Sequence, residues 1–235
     1  LPSKIKKMPV KAVIFDLDDT LWPLFPLIHD AERALFNWLE VNAPKITESH
    51  SIESMRNLRQ QLLPANPRFQ FDLWALRHAM LSELFLVIDE DPVQVKSWSD
   101  RAMQVFAAAR NQVSIYDDVV PALALLREQF KLGSISNGFA DLEVIGLNQY
   151  FQVNLAAHQF GCAKPDPRIF QAACAALQVA PEHAVYVGDD LLIDVRGARQ
   201  AGLQSVWINR AGRTAQHEAD FECRDLAELL RWLQM

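Results

Sequence analysis

Apolar positions cluster without interruption in KAVIFDL (residues 11–17), which predicts a short buried strand. From Leu21 to about Ser114 strand signals nearly vanish, and apolar residues recur at helical spacing instead. DAERALFNWLEV places Leu35, Trp38 and Leu39 on one face, with Asp30 as the expected N-cap. FDLWALRHAMLSELFLV repeats the habit with Leu73, Leu76, Met80 and Leu84. DPVQVKSWSDRAMQVFAAA opens on Asp91 and Pro92, the cap and first-turn pair that helices favour.

Beyond Ser114 the pattern alternates. DDVVPALALLREQF predicts a helix, KLGSISNG a strand ending in a turn, VNLAAH a weaker strand and DPRIFQAACAALQV a helix. HAVYVGDD predicts a strand, DVRGARQAG a helix closed by Gly202, and QSVWINR a final strand. Such alternation implies βαβ units and a Rossmann-like, doubly wound parallel sheet with helices on both faces. The helical stretch then reads as an insertion after the first strand. The expected division is an α/β core at residues 9–20 and 115–235, with an all-helical domain at residues 21–114 between them. Leu21 to Pro26 and Ile115 to Asp118 are the expected hinges.

Composition narrows the class. The 235 residues are 50% hydrophobic and 22% charged, with a formal charge of -6, which describes an ordinary acidic globular protein. No basic face is expected, so a nucleic acid polymer is an unsuitable partner. No apolar run approaches the roughly 18–20 residues of a membrane span. LPSKIKKMPV at the start is basic but lacks the apolar core of a signal peptide, and an opening Leu1 in place of Met reads as a processing remnant. Three cysteines, Cys162, Cys174 and Cys223, are odd in number and lack metal-ligand spacing, so a reduced, cytoplasmic setting is expected.

Polar residues change the picture most at the strand ends, where an open α/β sheet binds its ligands. DLDDT (Asp16 to Thr20), SNG (Ser136 to Gly138) and GDD (Gly188 to Asp190) all fall there, and Lys164 in CAKPDP follows the weak strand. Carboxylates crowded onto one rim repel each other and are tolerable only around a cation. Oxygen ligands with no His or Cys among them point to magnesium.

This set of residues resembles the haloacid dehalogenase superfamily of phosphohydrolases. DLDDT matches its first motif, Ser136 its second, Lys164 its third and GDDLLID its fourth, and the insertion stands where that superfamily carries a type 1 helical cap. The resemblance implies that Asp16 attacks phosphorus to form an aspartyl-phosphate, while Asp18 protonates the leaving oxygen and then activates water. It implies magnesium on Asp16, the Asp18 backbone carbonyl and Asp189. Ser136, the Asn137 N–H and Gly138 would receive the phosphoryl group. Lys164 would neutralise Asp16 and phosphate, with Asp190 and Asp194 behind them. WALRHAML in the cap, SNG and GDDLLIDVRGA look most like bacterial flavin mononucleotide and phosphoribitylaminouracil phosphatases. A small phosphorylated metabolite is the implied substrate, handled by a monomer or homodimer.

Each residue also has a plainer reading. Asp19 and Thr20 suit a turn, Ser136 a turn start, Lys164 a solvated loop, Asp194 a helix surface and Asp189 an N-cap. In the cap, Trp74 and Arg77 are the expected substrate contacts. Phe69, Phe71, Trp98 and His78 are further candidates, and core packing is the usual fate of such aromatics. Three other functions use related residues. A dehalogenase normally lacks the second carboxylate that Asp18 supplies, and a receiver domain lacks the insertion. A phosphomutase would use the same motifs and differ in excluding water.

Overall fold

The computed structural model describes residues 9–88 and 91–234. The expected processing remnant at Leu1 lies outside them. Six strands form one sheet: β1 (Ala12–Phe15), β2 (Lys131–Ser136), β3 (Val153–Ala156), β4 (Ala184–Gly188), β5 (Gln204–Ile208) and β6 (Phe221–Cys223). Their order is β3-β2-β1-β4-β5-β6 and every pairing is parallel. β1 is central, with Phe15 opposite Ser134 of β2 on one side and Val187 of β4 on the other. The order reverses at β1, so a crevice opens beyond its carboxyl end.

The insertion between β1 and β2 carries α1 (Leu24–Asn42), α2 (Pro44–Ser49), α3 (Ile52–Leu62), α4 (Leu73–Leu86) and α5 (Pro92–Arg110). Around the sheet lie α6 (Val119–Gln129), α7 (Leu142–Ile145), α8 (Ala157–Phe160), α9 (Pro167–Ala176), α10 (Gly197–Gln200) and α11 (Leu226–Leu233). Alternate β1 residues point to opposite faces. Val13 and Phe15 pack with Leu123 and Leu126 of α6 and Leu226 of α11. Ala12 and Ile14 pack with Ile169, Phe170 and Ala173 of α9. The insertion has its own core, built from Leu35, Leu39, Met80, Leu84, Phe85, Met103 and Phe106. All three cysteines are buried free thiols, and among the described residues no helix is long and apolar enough to cross a membrane.

The expected α/β sheet with a helical insertion is present, but several boundaries differ. Asp30 does not cap α1, which begins six residues earlier at Leu24. Pro23 occupies the N-cap position, and Asp19 Oδ1 accepts from the Leu24 N–H at 2.8 Å. Pro26 is harmless in that first turn, whose N–H groups lack helical partners anyway. Asp91 does cap α5, through the Val93 N–H at 3.0 Å. The helix expected at residues 194–202 is a π-helical turn, Leu191–Arg196, running into α10. The last strand is β6 rather than β5; three residues are too few to show a period of two.

Candidate active site

Asp16 follows β1 directly. Its N–H continues the ladder to the Val187 carbonyl at 2.8 Å, which fixes the carboxylate at the sheet rim. The chain then turns sharply: Asp19 sits at φ 58°, a left-handed conformation that Asp tolerates better than most residues, and Leu21 N–H reaches the Leu17 carbonyl at 2.8 Å. The turn reading of Asp19 therefore holds. Thr20 also serves the rim, its hydroxyl lying 3.4 Å from Asp16 Oδ2.

Lys164 is buried. Its ammonium donates to Asp16 Oδ1 at 2.5 Å, Asp194 Oδ1 at 2.7 Å and the Tyr186 hydroxyl at 2.8 Å, so three donors meet three acceptors. Burial opposes its charge, but Asp16 and Asp194 outweigh that and hold the ammonium above its ordinary range. Burial likewise keeps the Tyr186 phenol neutral. The solvated-loop and surface-acid readings of Lys164 and Asp194 thus fail. Asn137 clamps the Lys164 backbone: its Oδ1 accepts from the Lys164 N–H at 2.8 Å and its Nδ2 donates to the Lys164 carbonyl at 3.0 Å. Ser136 Oγ accepts from the Gly138 N–H at 2.9 Å, which shapes the turn after β2.

Carboxylate oxygens of Asp16, Asp189 and Asp194 lie within 4.8 Å of one another. Lys164 pairs with Asp16 and Asp194 but not with Asp189, whose cation is the half-exposed Arg213 at 3.5 Å, so this group is short of buried positive charge. Burial, then Asp194 and Asp19, pushes the Asp189 carboxyl up to about 7 against the opposing pull of Arg213. Burial also raises Asp16 well above the usual carboxylate range, despite Lys164. Three hard oxygen donors with unbalanced charge fit a divalent cation such as magnesium. Asp194 holds the Lys164 ammonium at 2.7 Å, the orienting place expected for it, and its carboxylate also reaches the Asp16–Asp189 group. Gly188 permits the arrangement, since a Cβ there would overlap the Asp194 side chain. Asp190, not Asp189, is the N-cap: its Oδ1 accepts from Leu192 and Ile193 N–H at 2.8 Å each.

Asp18 has a different environment. Arg110, at the end of α5 and only 2% exposed, donates through Nη2 to both Asp18 oxygens, at 2.6 and 2.8 Å. Trp22 Nε1 adds a third bond at 2.8 Å. A Cβ on Gly138 would come 3.0 Å from Asp18 Oδ2, a tight contact, so the turn after β2 packs closely against the Asp18 carboxylate. Arg110 escapes sequence reasoning. It reads as a basic residue in a last helical turn, and its partner lies 92 positions away.

A cavity of about 440 Å³ joins the two halves of the site. Asp16, Asp18, Ser136, Asn137, Gly138, Lys164, Asp189, Asp190 and Asp194 line it from the sheet side. Leu24, Ile28, Arg59, Leu73, Arg77 and Arg110 line it from the insertion. Trp74 does not line it, which corrects the expectation for that residue. Leu73 and Arg77, four apart on α4, share the cavity face, and Trp74 is turned onto Phe139, ring centroids 5.3 Å apart and edge-on. Trp98 packs on Phe85 and Trp38, and His78 pairs with Asp100 at 2.9 Å, so neither reaches the site. Phe69 and Phe71 do not line the cavity either.

Residues 10–202 match the model of the haloacid dehalogenase-like hydrolase family. The chain is 31% identical over 199 residues to the 5-amino-6-(5-phospho-D-ribitylamino)uracil phosphatase YigB of Escherichia coli, covering 85% of this chain and 83% of that one. It is 34% identical over 241 residues to a glyceraldehyde 3-phosphate phosphatase of Methanopyrus kandleri, covering 95% and 98%. Among solved structures, a 2-haloacid dehalogenase from Pseudomonas syringae superposes with a TM-score of 0.91 at 37% identity, covering 96% of this chain and 98% of that one.

Proposed function

This chain belongs to the haloacid dehalogenase-like hydrolase family, and we propose that it is a magnesium-dependent phosphatase of small phosphorylated metabolites. One observation carries the reading. Asp16, Asp189 and Asp194 gather at one point beside Lys164, while a separate carboxylate, Asp18, lines the same cavity. Asp16 attacks phosphorus and the ester P–O bond breaks; Asp18, which must take up a proton and leave its pairing with Arg110 to act as the acid, gives that proton to the departing oxygen. Water then attacks the aspartyl-phosphate, Asp18 takes the proton, and inorganic phosphate leaves with Asp16 restored. Lys164 holds Asp16 in place and offsets the charge of the arriving dianion. Asp16, Asp189 and Asp194 would hold magnesium, with the Asp18 backbone carbonyl as a further ligand. When bound, the ion supplies charge withdrawal from the phosphoryl oxygens. Relatives named for a phosphorylated ribitylaminouracil and for glyceraldehyde 3-phosphate support a small phosphomonoester, and the cavity volume suits one.

The Pseudomonas neighbour favours dehalogenation as the second reading. Displacing halide from carbon needs no proton donor, because halide is a stable anion. It would leave Asp18 idle and the clustered carboxylates uncompensated, so phosphate transfer accounts for more of the site. A panel of phosphomonoesters assayed for phosphate release with magnesium, beside 2-chloropropionate assayed for halide, separates the two. Phosphate release that disappears on chelation and in Asp16→Asn is expected. Halide release without phosphate release would replace this reading.

A further inference from the structure

We propose that the insertion side of the cavity is a subsite for a second anionic group, so that the preferred substrates are phosphomonoesters bearing a carboxylate or another phosphate at their far end. The proposal rests on the phosphatase reading and adds a substrate class to it. Three arginines of the insertion, Arg56, Arg59 and Arg77, share one buried carboxylate, Glu32, which is 5% exposed. Three guanidinium charges face one buried carboxylate, with Glu53 a weaker partner of Arg56 alone, so positive charge is left in excess at Arg59 and Arg77. Arg56 satisfies Glu32 closely, with Nε 2.7 Å and Nη2 2.5 Å from Oε2. Arg59 Nη1 lies 3.5 Å from Oε1, and Arg77 Nη2 is 3.8 Å away, beyond hydrogen-bond range.

The two loosely held arginines are the ones that line the cavity. Arg77 is 7% exposed, and its Nε is buried with no hydrogen-bond partner. Its guanidinium lies 3.7 Å from the centroid of the Phe106 ring, which fixes the plane while leaving donors at the edge. A purely structural role, neutralising Glu32, is already filled by Arg56. A buried guanidinium with an orphaned donor is costly unless an acceptor arrives. Neither Arg59 nor Arg77 pairs with any sheet-rim carboxylate among the described residues. Leu24, Ile28, Leu73 and Phe139 line the same cavity, and their apolar surface suits a short carbon spine. The site thus offers one polar end for the phosphoryl group and a second, cationic one for the tail.

Matched pairs test this. Glycerol 3-phosphate and 3-phosphoglycerate differ in an alcohol against a carboxylate; fructose 6-phosphate and fructose 1,6-bisphosphate differ in one phosphate. A charge-assisted pair predicts about tenfold higher kcat/KM for at least one anionic member, carried by KM. Arg77→Met and Arg59→Met should each pull that ratio towards one. Arg59 is partly exposed, so its variant keeps the test open if the Arg77 variant fails to fold. Calorimetric titration of Asp16→Asn protein with the same compounds reports tail preference without turnover, so failure of the phosphatase reading leaves this one measurable. Equal affinity within both pairs, or ratios unmoved in both variants, would overturn the subsite.

Discussion

Asp18 and Arg110 show how much one side-chain contact decides. Departing alkoxides have conjugate acids with pKa values of about 15–16, so they need a proton as the bond breaks, whereas p-nitrophenolate, near 7, does not. Asp18→Asn should therefore slow phosphoenzyme formation by about 10²- to 10⁴-fold on sugar phosphates and far less on p-nitrophenyl phosphate. With that activated ester the phosphoenzyme should accumulate, since water then lacks its base, and a burst in rapid-quench experiments reads it. Arg110→Met removes both bonds that aim Asp18 and should reproduce the same leaving-group dependence in milder form. Uniform losses on both esters would mean that the pair only braces the loop. Asp16, Asp18, Lys164 and Asp189 are legible in the sequence because their motifs are local and stand at strand ends. Arg110, Glu32 and Arg59 are not, because only the folded insertion brings them to the cavity.

At the scale of elements, the two connections between sheet and insertion share one staple. Arg210, just beyond β5, donates through Nε to the Thr20 carbonyl at 2.9 Å and through two nitrogens to the Asp118 carboxylate at 3.1 Å each. It also lies 4.0 Å from the centroid of the Tyr116 ring, and Tyr116 N–H reaches the Leu21 carbonyl at 3.0 Å. Both expected hinge segments are thus tied together from the sheet side. Arg210→Ala should cost about 1–3 kcal/mol in denaturant unfolding, as expected for a partly buried pair. Amide exchange should rise at residues 20–24 and 114–119 while the sheet stays protected. Exchange unchanged at both segments would mean that other contacts hold them. Long periodic helices and apolar strands read well from sequence, while α2 and β6 do not. A one- to two-turn helix or a three-residue strand takes its stability from packing that no local period reveals.

At the scale of the whole molecule, the electrostatic conflict at the carboxylate cluster links proton, cation and fold. Burial and the neighbouring Asp194, Asp19 and Asp190 hold the Asp189 carboxyl up at about 7, with Arg213 opposing, while an unfolded aspartate titrates near 4. Between those values the folded state binds more protons than the unfolded one. Stability in the absence of a cation should therefore decline as pH rises from about 4 to 7. A divalent ion that binds the folded carboxylates competes with that proton and with any on the raised Asp16 carboxyl, so its apparent affinity should fall about tenfold or more for each pH unit below 7. Bound at a hundred times its dissociation constant, such an ion stabilises by about 2.7 kcal/mol. At one fixed magnesium concentration, the rise in Tm over a chelated control should be large at pH 8 and small at pH 5.5. Asp189→Asn should flatten that difference and raise the stability of the chelated protein at pH 8, since it removes the charge that the fold holds at a cost. Thermal scans of both proteins at the two pH values measure each of these. An equal magnesium shift at both values would place the ion away from this cluster.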